Sequence, residues 1–464
     1  ALLGLICGFA YYLPLLYWIV IVLATYGQVA LPIAVLALVL LALYMSCYLA
    51  TFAFLCAKTG SRLSLLVFAP ACWVALDLIR ARLFTGFPWM DLAYTQYSLP
   101  QIIQVADLAG HYGLTFLMVL ANVLIVTLAA SLVRRKTASP PALIAVAAAL
   151  LLTASVYSFW RMQTMPTAIA QAEQMEIAVA QGNIPQDQKW QPAFQRETIS
   201  TYLRLSQEIF VAKKPQLVVW PETALPFYPY EHPLFLRLHS ELTRPYRTSL
   251  LTGAPHREKA SPDEPITYAN SAFLLSQDGL VTGRYDKQHL VPFGEYIPLR
   301  WLLGFASPLV ETLGAFTPGQ SNTPLVCQNS RIGVLICFEG IFPEISRKQA
   351  EAGANLLVTI TNDAWFGRSS APWQHLAMGV FRAVETRKTL VRAANTGISA
   401  FIDPMGRIEG ASPLFAEYAR SQPVALLDGL TCYVRWGYFF PWGCLILTLA
   451  GLWRCSARRG KTKK

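Results

Sequence analysis

Arg331-Ile-Gly-Val-Leu-Ile-Cys-Phe-Glu-Gly340 reads as a buried strand that carries a thiol, Cys337, and a nearby carboxylate, Glu339, to a sheet edge. Two upstream segments have the same form. Leu217-Val-Val-Trp-Pro-Glu-Thr223 ends a strand on Glu222, and Gly283-Arg-Tyr-Asp-Lys-Gln-His-Leu-Val-Pro-Phe-Gly-Glu295 presents Lys287 and Glu295. A thiol needs a base to become a reactive thiolate, and its attack on a carbonyl creates an oxyanion that a positive charge stabilises. Glu222, Lys287 and Cys337 supply base, cation and nucleophile. By position alone Cys337 passes for a buried structural cysteine; the neighbouring motifs make it the candidate nucleophile. Pro221 ends the strand ladder after Trp220 and fixes the direction of Glu222, which would otherwise be an ordinary surface carboxylate. Lys287 lies just before the apolar Leu290-Val-Pro-Phe293, which favours a partly buried ammonium. If the strand continues past Cys337, Glu339 shares its face and either orients the site or bonds backbone donors.

From Glu176 to Leu430, short β-rich runs are separated by helical or turn-rich stretches. The predicted strands are Ile177 to Ala180, Leu217 to Trp220, Ser249 to Gly253, Ser271 to Leu275, Arg331 to Cys337, Asn355 to Thr361, Gly397 to Ile402 and Val424 to Leu427. The predicted helices are Pro192 to Ala212, Pro343 to Ala352 and Pro372 to Lys388. Strands alternating with helices define an α/β layered domain. Leu290 to Gln320 is rich in Pro, Gly and aromatic residues and has the character of a lid. Its apolar part, Ile297 to Phe305, suits either dipping into a lipid interface or packing against the domain. There is no Gly-x-Ser-x-Gly elbow, P-loop or dinucleotide fingerprint, and the six histidines fall in no zinc spacing. No metal and no cofactor is implied.

The front of the chain is different. Of its 464 residues, none before Lys58 is Asp, Glu, Lys or Arg, and about 20 apolar residues cross a bilayer as a helix. Spans are therefore predicted at Ala1 to Tyr26, Leu31 to Ala57, Gly110 to Val133, Pro141 to Trp160 and Trp436 to Trp453, with a weaker one at Leu63 to Arg82. Pro70 kinks that weaker segment, and Asp77, Arg80 and Arg82 crowd its end. The first span is too long and aromatic for a signal peptide. Basic residues collect in the Lys58 and Arg62 loop, in Arg134 to Lys136 and in the tail from Arg454 to Lys464, whereas Gly27 to Ala30 and Leu83 to Ala109 contain none. The enrichment of cytoplasmic loops in Lys and Arg puts everything from Arg161 to Arg435 on the other side of the membrane. Arg80 and Arg82 break that pattern and are read as buried partners of Asp77 or as headgroup contacts. The net charge of +11 forms no aromatic-interleaved stripe, so nucleic acid is not implied, and the basic tail suits an anionic leaflet instead. Four of the nine cysteines, Cys7, Cys47, Cys56 and Cys72, lie in apolar spans, which is no disulfide framework.

Trp220-Pro-Glu-Thr223, Tyr285 to Tyr296, Ile336-Cys-Phe-Glu339 and Thr361-Asn-Asp-Ala-Trp-Phe-Gly367 together resemble the nitrilase, or carbon-nitrogen hydrolase, superfamily. The closer resemblance is to its membrane-bound branch, the apolipoprotein N-acyltransferases, and it extends to Gln181 to Trp190 and Thr85 to Trp89. The resemblance implies an α-helical membrane domain plus an α/β extramembrane domain with a nitrilase-like α-β-β-α sandwich. Residues 1–160 would hold the first helices, 161–435 the periplasmic catalytic domain, and 436–464 the last helix and the cytoplasmic tail. Two further spans are expected ahead of Ala1. The resemblance also implies a Glu222, Lys287 and Cys337 triad, a supporting Glu295, and a phenylalanine, Phe338, where the family usually has tyrosine. Trp190, Trp365 and Trp373 either line an acyl pocket or pack in the core. The implied reaction is transfer of an acyl chain from a membrane phospholipid, through a cysteine thioester, to the N-terminal diacylglyceryl-cysteine of an apolipoprotein at the bacterial inner membrane. The alternative is a membrane-tethered amidase or nitrilase with water as acceptor. A non-enzymatic transporter or scaffold would not need the intact triad.

Overall fold

A computed structural model describes residues 1–59, 65–134, 140–259, 266–296 and 316–461. The chain divides into two compact units, Ala1–Pro166 with Thr431–Lys464, and Thr167–Leu430.

The first unit is helical because its segments are long and apolar, with few charged residues among them. Among the described residues, four helices have the length and composition to cross a membrane: Leu31–Thr59, Ala106–Val133, Pro141–Gln171 and Phe439–Ala457. Leu2–Leu15 and Trp18–Tyr26 form a pair bent by 48°, which makes a fifth if it counts as one span. The helix Leu65–Arg80 has 16 residues, about 24 Å at 1.5 Å per residue and short of a roughly 30 Å hydrocarbon core. Gly110, at φ +66° within the helix Ala106–Arg134, lies so close to Tyr433 that an added Cβ would come within 2.7 Å of the ring.

Among the described residues of this unit, Asp77, Arg80, Asp91 and His111 are paired, which removes much of the cost of burying them. Arg80 contacts Asp77 at 3.0 Å, donates to the Tyr12 hydroxyl at 2.6 Å and pairs with Asp91. Asp91 in turn lies 3.0 Å from His111 Nε2. Arg82 instead stacks over the Tyr438 and Trp442 rings, 4.6 and 5.4 Å from their centroids. Of the two readings of these arginines, partnership with Asp77 holds for Arg80, and Arg82 has aromatic neighbours that its sequence position did not suggest.

The second unit contains two six-stranded sheets. In the first, the order is β12 (Tyr418–Leu426), β1 (Glu173–Gln181), β2 (Leu217–Val219), β3 (Ser249–Glu258), β4 (Thr267–Leu275), β5 (Val281–Asp286). In the second, it is β11 (Ile408–Glu409), β10 (Ala400–Ile402), β9 (Thr389–Ala394), β8 (Leu356–Thr361), β7 (Ser330–Ile336), β6 (Leu325–Cys327). The central strands β1, β2 and β3 are parallel, as are β7, β8 and β9, and the outer pairings are antiparallel.

Alternation along the strands explains the layers. Ile177, Val179, Leu217 and Val219 share one core with Ile332, Val334, Ile336, Val358 and Ile360 of the other sheet, so the two sheets pack face to face. The intervening Ala178, Ala180 and Val218 point the other way and pack with Ile199, Tyr202 and Leu203 of the helix Gln195–Phe210. Helices Pro343–Glu351 and Ala371–Thr386 pack against β7 and β9 respectively. Helix, sheet, sheet and helix thus form the layers, as expected from the resemblance.

Four strands fall outside the sequence expectation. β5 and β6 are edge strands with alternating exposure, β11 has two residues, and the fully buried β9 contains Arg392, a charge that conceals a central strand. Two further corrections concern the site. The strand predicted to end on Cys337 stops at Ile336, and Cys337 to Ile341 form a 3-10 turn, so Cys337 and Glu339 do not share a strand face. Ile297 to Phe305 lies outside the described residues, which leaves the lid expectation without a structural account.

Candidate active site

Glu222 follows β2, where Pro221 ends the ladder and Thr223 turns left-handed at φ +51°. The turn lies directly on Gly253 of β3; a Cβ there would come within 2.6 Å of the Thr223 nitrogen. Both carboxylate oxygens of Glu222 are held. Oε1 accepts from Asn270 Nδ2 at 2.8 Å, and Oε2 accepts from the Asn362 main-chain N–H at 2.9 Å.

Lys287 comes directly after β5 and is 1% exposed. Its backbone is held on both sides, donating to Asn270 O at 2.9 Å and accepting from Gly319 N at 2.8 Å. Its Nζ lies 2.9 Å from Glu295 and 3.7 Å from Glu222 Oε1. Burial works against the ammonium, but Glu295 and Glu222 outweigh it and hold the Lys287 pKa well above its ordinary value. Glu295 is itself tied down by the Val291 N–H at 2.8 Å and by Asn270 Nδ2 at 3.0 Å. The Asn270 amide therefore bridges the same two carboxylates that share Lys287.

Cys337 takes φ +52°, a left-handed conformation rare outside glycine, which turns its side chain out of the β7 line. Its carbonyl faces His375 Nε2 at 3.0 Å. Arg392 Nη2 donates to Asp363 Oδ2 at 2.7 Å and approaches His375 Nδ1 at 3.1 Å, and Thr361 Oγ1 donates to Asp363 Oδ1 at 2.8 Å. Burial and the Arg392 guanidinium hold His375 below its ordinary pKa despite Asp363. His375 bridges Asp363, whose Oδ1 lies 3.1 Å from Nδ1, and the Cys337 carbonyl. Burial pushes the Cys337 thiol up to about 12, with the Glu222 and Asp363 carboxylates adding to the rise and the Lys287 ammonium opposing it. At neutral pH the Cys337 thiol is therefore protonated.

Glu339 is fully buried and braces the two halves of the site. It accepts from Ile336 N at 2.7 Å on the Cys337 side, and from Gln288 N at 2.6 Å and the Tyr285 hydroxyl at 3.0 Å on the Lys287 side. Burial raises its pKa to about 7 against the pull of these backbone donors. Phe338 packs edge-on to Phe342, with ring centres 5.3 Å apart, and 5.9 Å from His289. Trp190 is half-buried, whereas Trp365 and Trp373 are 39% and 45% exposed, so neither of those two packs in the core. Among the described residues, no group of three or more His, Cys, Asp or Glu side chains is arranged to hold a metal.

Sequence reasoning missed Asn270, the His375 and Arg392 partners of Asp363, and Lys189, which donates to the Glu222 carbonyl at 2.9 Å; Asp363 itself lies in the quoted Thr361 to Gly367 motif. Lys189 lies within the Gln181 to Trp190 motif, where Trp190 is the more conspicuous residue. Asn270 had no signal, since a lone amide in a strand reads as an edge position.

The thiol, ammonium and carboxylates meet on the kind of two-sheet sandwich that the motifs implied, and residues 176–421 match the family model for carbon-nitrogen hydrolases. Residues 1–124 match the apolipoprotein N-acyltransferase N-terminal domain. The apolipoprotein N-acyltransferase of Geobacter metallireducens is 46% identical over 445 residues, covering 96% of this chain and 84% of that protein. The corresponding protein of Pasteurella multocida is 33% identical over 453 residues, covering 95% and 84%. A crystal structure of a carbon-nitrogen hydrolase from Helicobacter pylori aligns with 55% of this chain and 89% of its own at 19% identity, with a TM-score of 0.40. The chain belongs to the apolipoprotein N-acyltransferase family.

Proposed function

We infer that the chain N-acylates apolipoproteins in two steps, with Cys337 carrying the acyl group between them. The observation that carries this reading is the buried Lys287 ammonium shared by two held carboxylates, next to a thiol on a left-handed turn. Glu222 removes the Cys337 proton, and the thiolate attacks an ester carbonyl of a membrane phospholipid. Lys287, positioned by Glu295, stabilises the oxyanion. Collapse breaks the ester C–O bond, and the lysophospholipid alkoxide takes the proton back from Glu222, leaving a thioester. The α-amine of a diacylglyceryl-cysteine then attacks that thioester and loses its proton to Glu222. The new C–N bond replaces the C–S bond, and Cys337 recovers its proton. Glu222 thus acts as base and acid in turn.

Incubation with phospholipid followed by mass spectrometry of the Cys337 peptide tests this reading. A mass increase equal to one acyl chain is expected, removable by an amine-bearing diacylglyceryl peptide with formation of an amide. Loss of that acyl group to water at the same rate with or without the peptide would instead support the hydrolase alternative.

In this reading the chain is a multi-pass protein of the bacterial inner membrane with residues 161–435 on the periplasmic side, supported by the distribution of basic loops. Reporters fused after Lys136 and at Lys464 are expected to read as cytoplasmic, and one inserted near Pro262 as periplasmic. A cytoplasmic signal at Pro262 would overturn the orientation and with it the access of the site to lipoprotein.

A further inference from the structure

Lys189 is a buried charge that the proposed reaction leaves unused. It is 1% exposed and sits between β1 and the helix Gln195–Phe210. Among the described residues its one side-chain hydrogen bond runs from Nζ to the main-chain carbonyl of Glu222 at 2.9 Å. The segment that carries it is latched from below. Asn183 N donates to the Asn395 carbonyl at 2.9 Å, Ile184 N donates to Asn395 Oδ1 at 2.9 Å, and Asn395 Nδ2 returns a bond to the Ile184 carbonyl at 2.8 Å. Asn362, whose N–H holds Glu222, also donates from Nδ2 to Gln186 Oε1 at 2.7 Å. Lys189 is therefore held beside Glu222 by a segment tied to the residue that orients Glu222.

The charges around the nucleophile explain what a second ammonium does there. Asp363 is matched by Arg392 at 2.7 Å. Lys287 lies between Glu222 and Glu295 and offsets only one of them. Within this set one negative charge is left over, on Glu222, the carboxylate farther from Lys287, and the buried Glu339 adds to it when ionised. An unmatched buried charge is costly, and a like charge beside the thiol works against the thiolate. Burial lowers the Lys189 pKa to about 8 while Glu222 and Cys337 pull it upward, which leaves an ammonium at neutral pH.

We propose that Lys189 is a positioning residue of the acyl transfer, whose ammonium is anchored on the Glu222 carbonyl, balances the charge of the site and stabilises the Cys337 thiolate. This inference rests on the triad reading above. Lys287 then serves both the oxyanion and the thiolate, and Lys189 adds to the second.

Alkylation of Cys337 by iodoacetamide in the full chain tests this, mapped to the Cys337 peptide because other cysteines are exposed. Wild type, Lys189→Arg, Lys189→Gln and Lys189→Met are compared across neutral pH, with acyl-enzyme formation and the thermal midpoint measured alongside. Loss of a neighbouring opposite charge raises a pKa by about 1–3 units, so Lys189→Gln and Lys189→Met are expected to alkylate about tenfold more slowly near pH 7, with the whole rate–pH line displaced toward higher pH. Lys189→Arg keeps the charge and is expected to stay within about twofold of wild type. A purely structural role would lower the thermal midpoint and leave the rate–pH line in place. The proposal is overturned if both neutral variants keep the wild-type line, or if Lys189→Arg is displaced as far as Lys189→Met. If wild-type Cys337 takes up no acyl group, the triad reading itself fails, and the iodoacetamide profiles still report on the charge.

Discussion

Cys337→Ser and Cys337→Ala are expected to abolish acyl-enzyme formation while the protein stays inserted and folded. A thiolate is far more nucleophilic than an alcohol at neutral pH, and no group at the site is basic enough to deprotonate serine to a useful extent. The turn at residue 337 is held through its backbone, by the His375 bond to the carbonyl at 3.0 Å and by the Glu339 bond to Ile336 N at 2.7 Å, so the fold does not depend on the sulfur. A loss of roughly 10⁴-fold or more is the scale for deleting a nucleophile. Both variants are checked by mass spectrometry after incubation with phospholipid, with circular dichroism as the folding control. Substantial acyl labelling of residue 337 in Cys337→Ser, or of any other residue in Cys337→Ala, would sink the assignment.

Glu222→Gln and Lys287→Met are expected to fail differently, because a base and an oxyanion stabiliser act at different moments. Glu222→Gln keeps the size and hydrogen-bonding capacity that Asn270 and Asn362 use, but cannot accept a proton. Loss of the proton acceptor is expected to outweigh the relief of the Glu222 charge on the thiol pKa, so reactivity falls toward alkylating reagents as well as toward phospholipid. Lys287→Met keeps the stem and removes the charge beside the tetrahedral intermediate, for which about 2.7–4 kcal/mol, or roughly 10²–10³ in rate, is the scale of one oxyanion donor. Alkylation forms no oxyanion and falls less, although the thiol pKa rises once the opposing Lys287 charge is gone. Lys287→Met also leaves Glu222 and Glu295 facing each other without their shared cation, and breaking a buried pair costs about 3–5 kcal/mol of stability. A lowered thermal midpoint in that variant, and a smaller change in Glu222→Gln, are part of the expected result. If Glu222→Gln alkylates at the wild-type rate while Lys287→Met does not, the two roles are reversed.

Much of the catalytic unit is legible in the sequence, for a specific reason. Strands buried on both faces, such as Leu356–Thr361, appear as unbroken apolar runs, and Glu222, Lys287 and Cys337 each stand directly past or near the end of a strand. Where the pattern fails, the strand is short, at an edge, or marked by a buried charge, as Arg392 marks β9. The helical unit is legible because charge is so expensive in an apolar medium that dozens of consecutive residues without any mark a segment suited to lipid.

Local pattern and residue chemistry are enough to single out Glu222, Lys287 and Cys337 as candidates and to define the layered α/β class and the apolar helices. How the triad is held follows from tertiary contacts alone. The chain leaves the strand one residue before Cys337 and turns that residue left-handed, so Glu339 becomes a brace between two loops. Asn270 reaches Glu222 across 48 positions of sequence, Asn362 across 140, and Lys189 across 33. Such bonds leave no periodicity behind, because each needs one polar atom delivered to one place by segments from different parts of the chain.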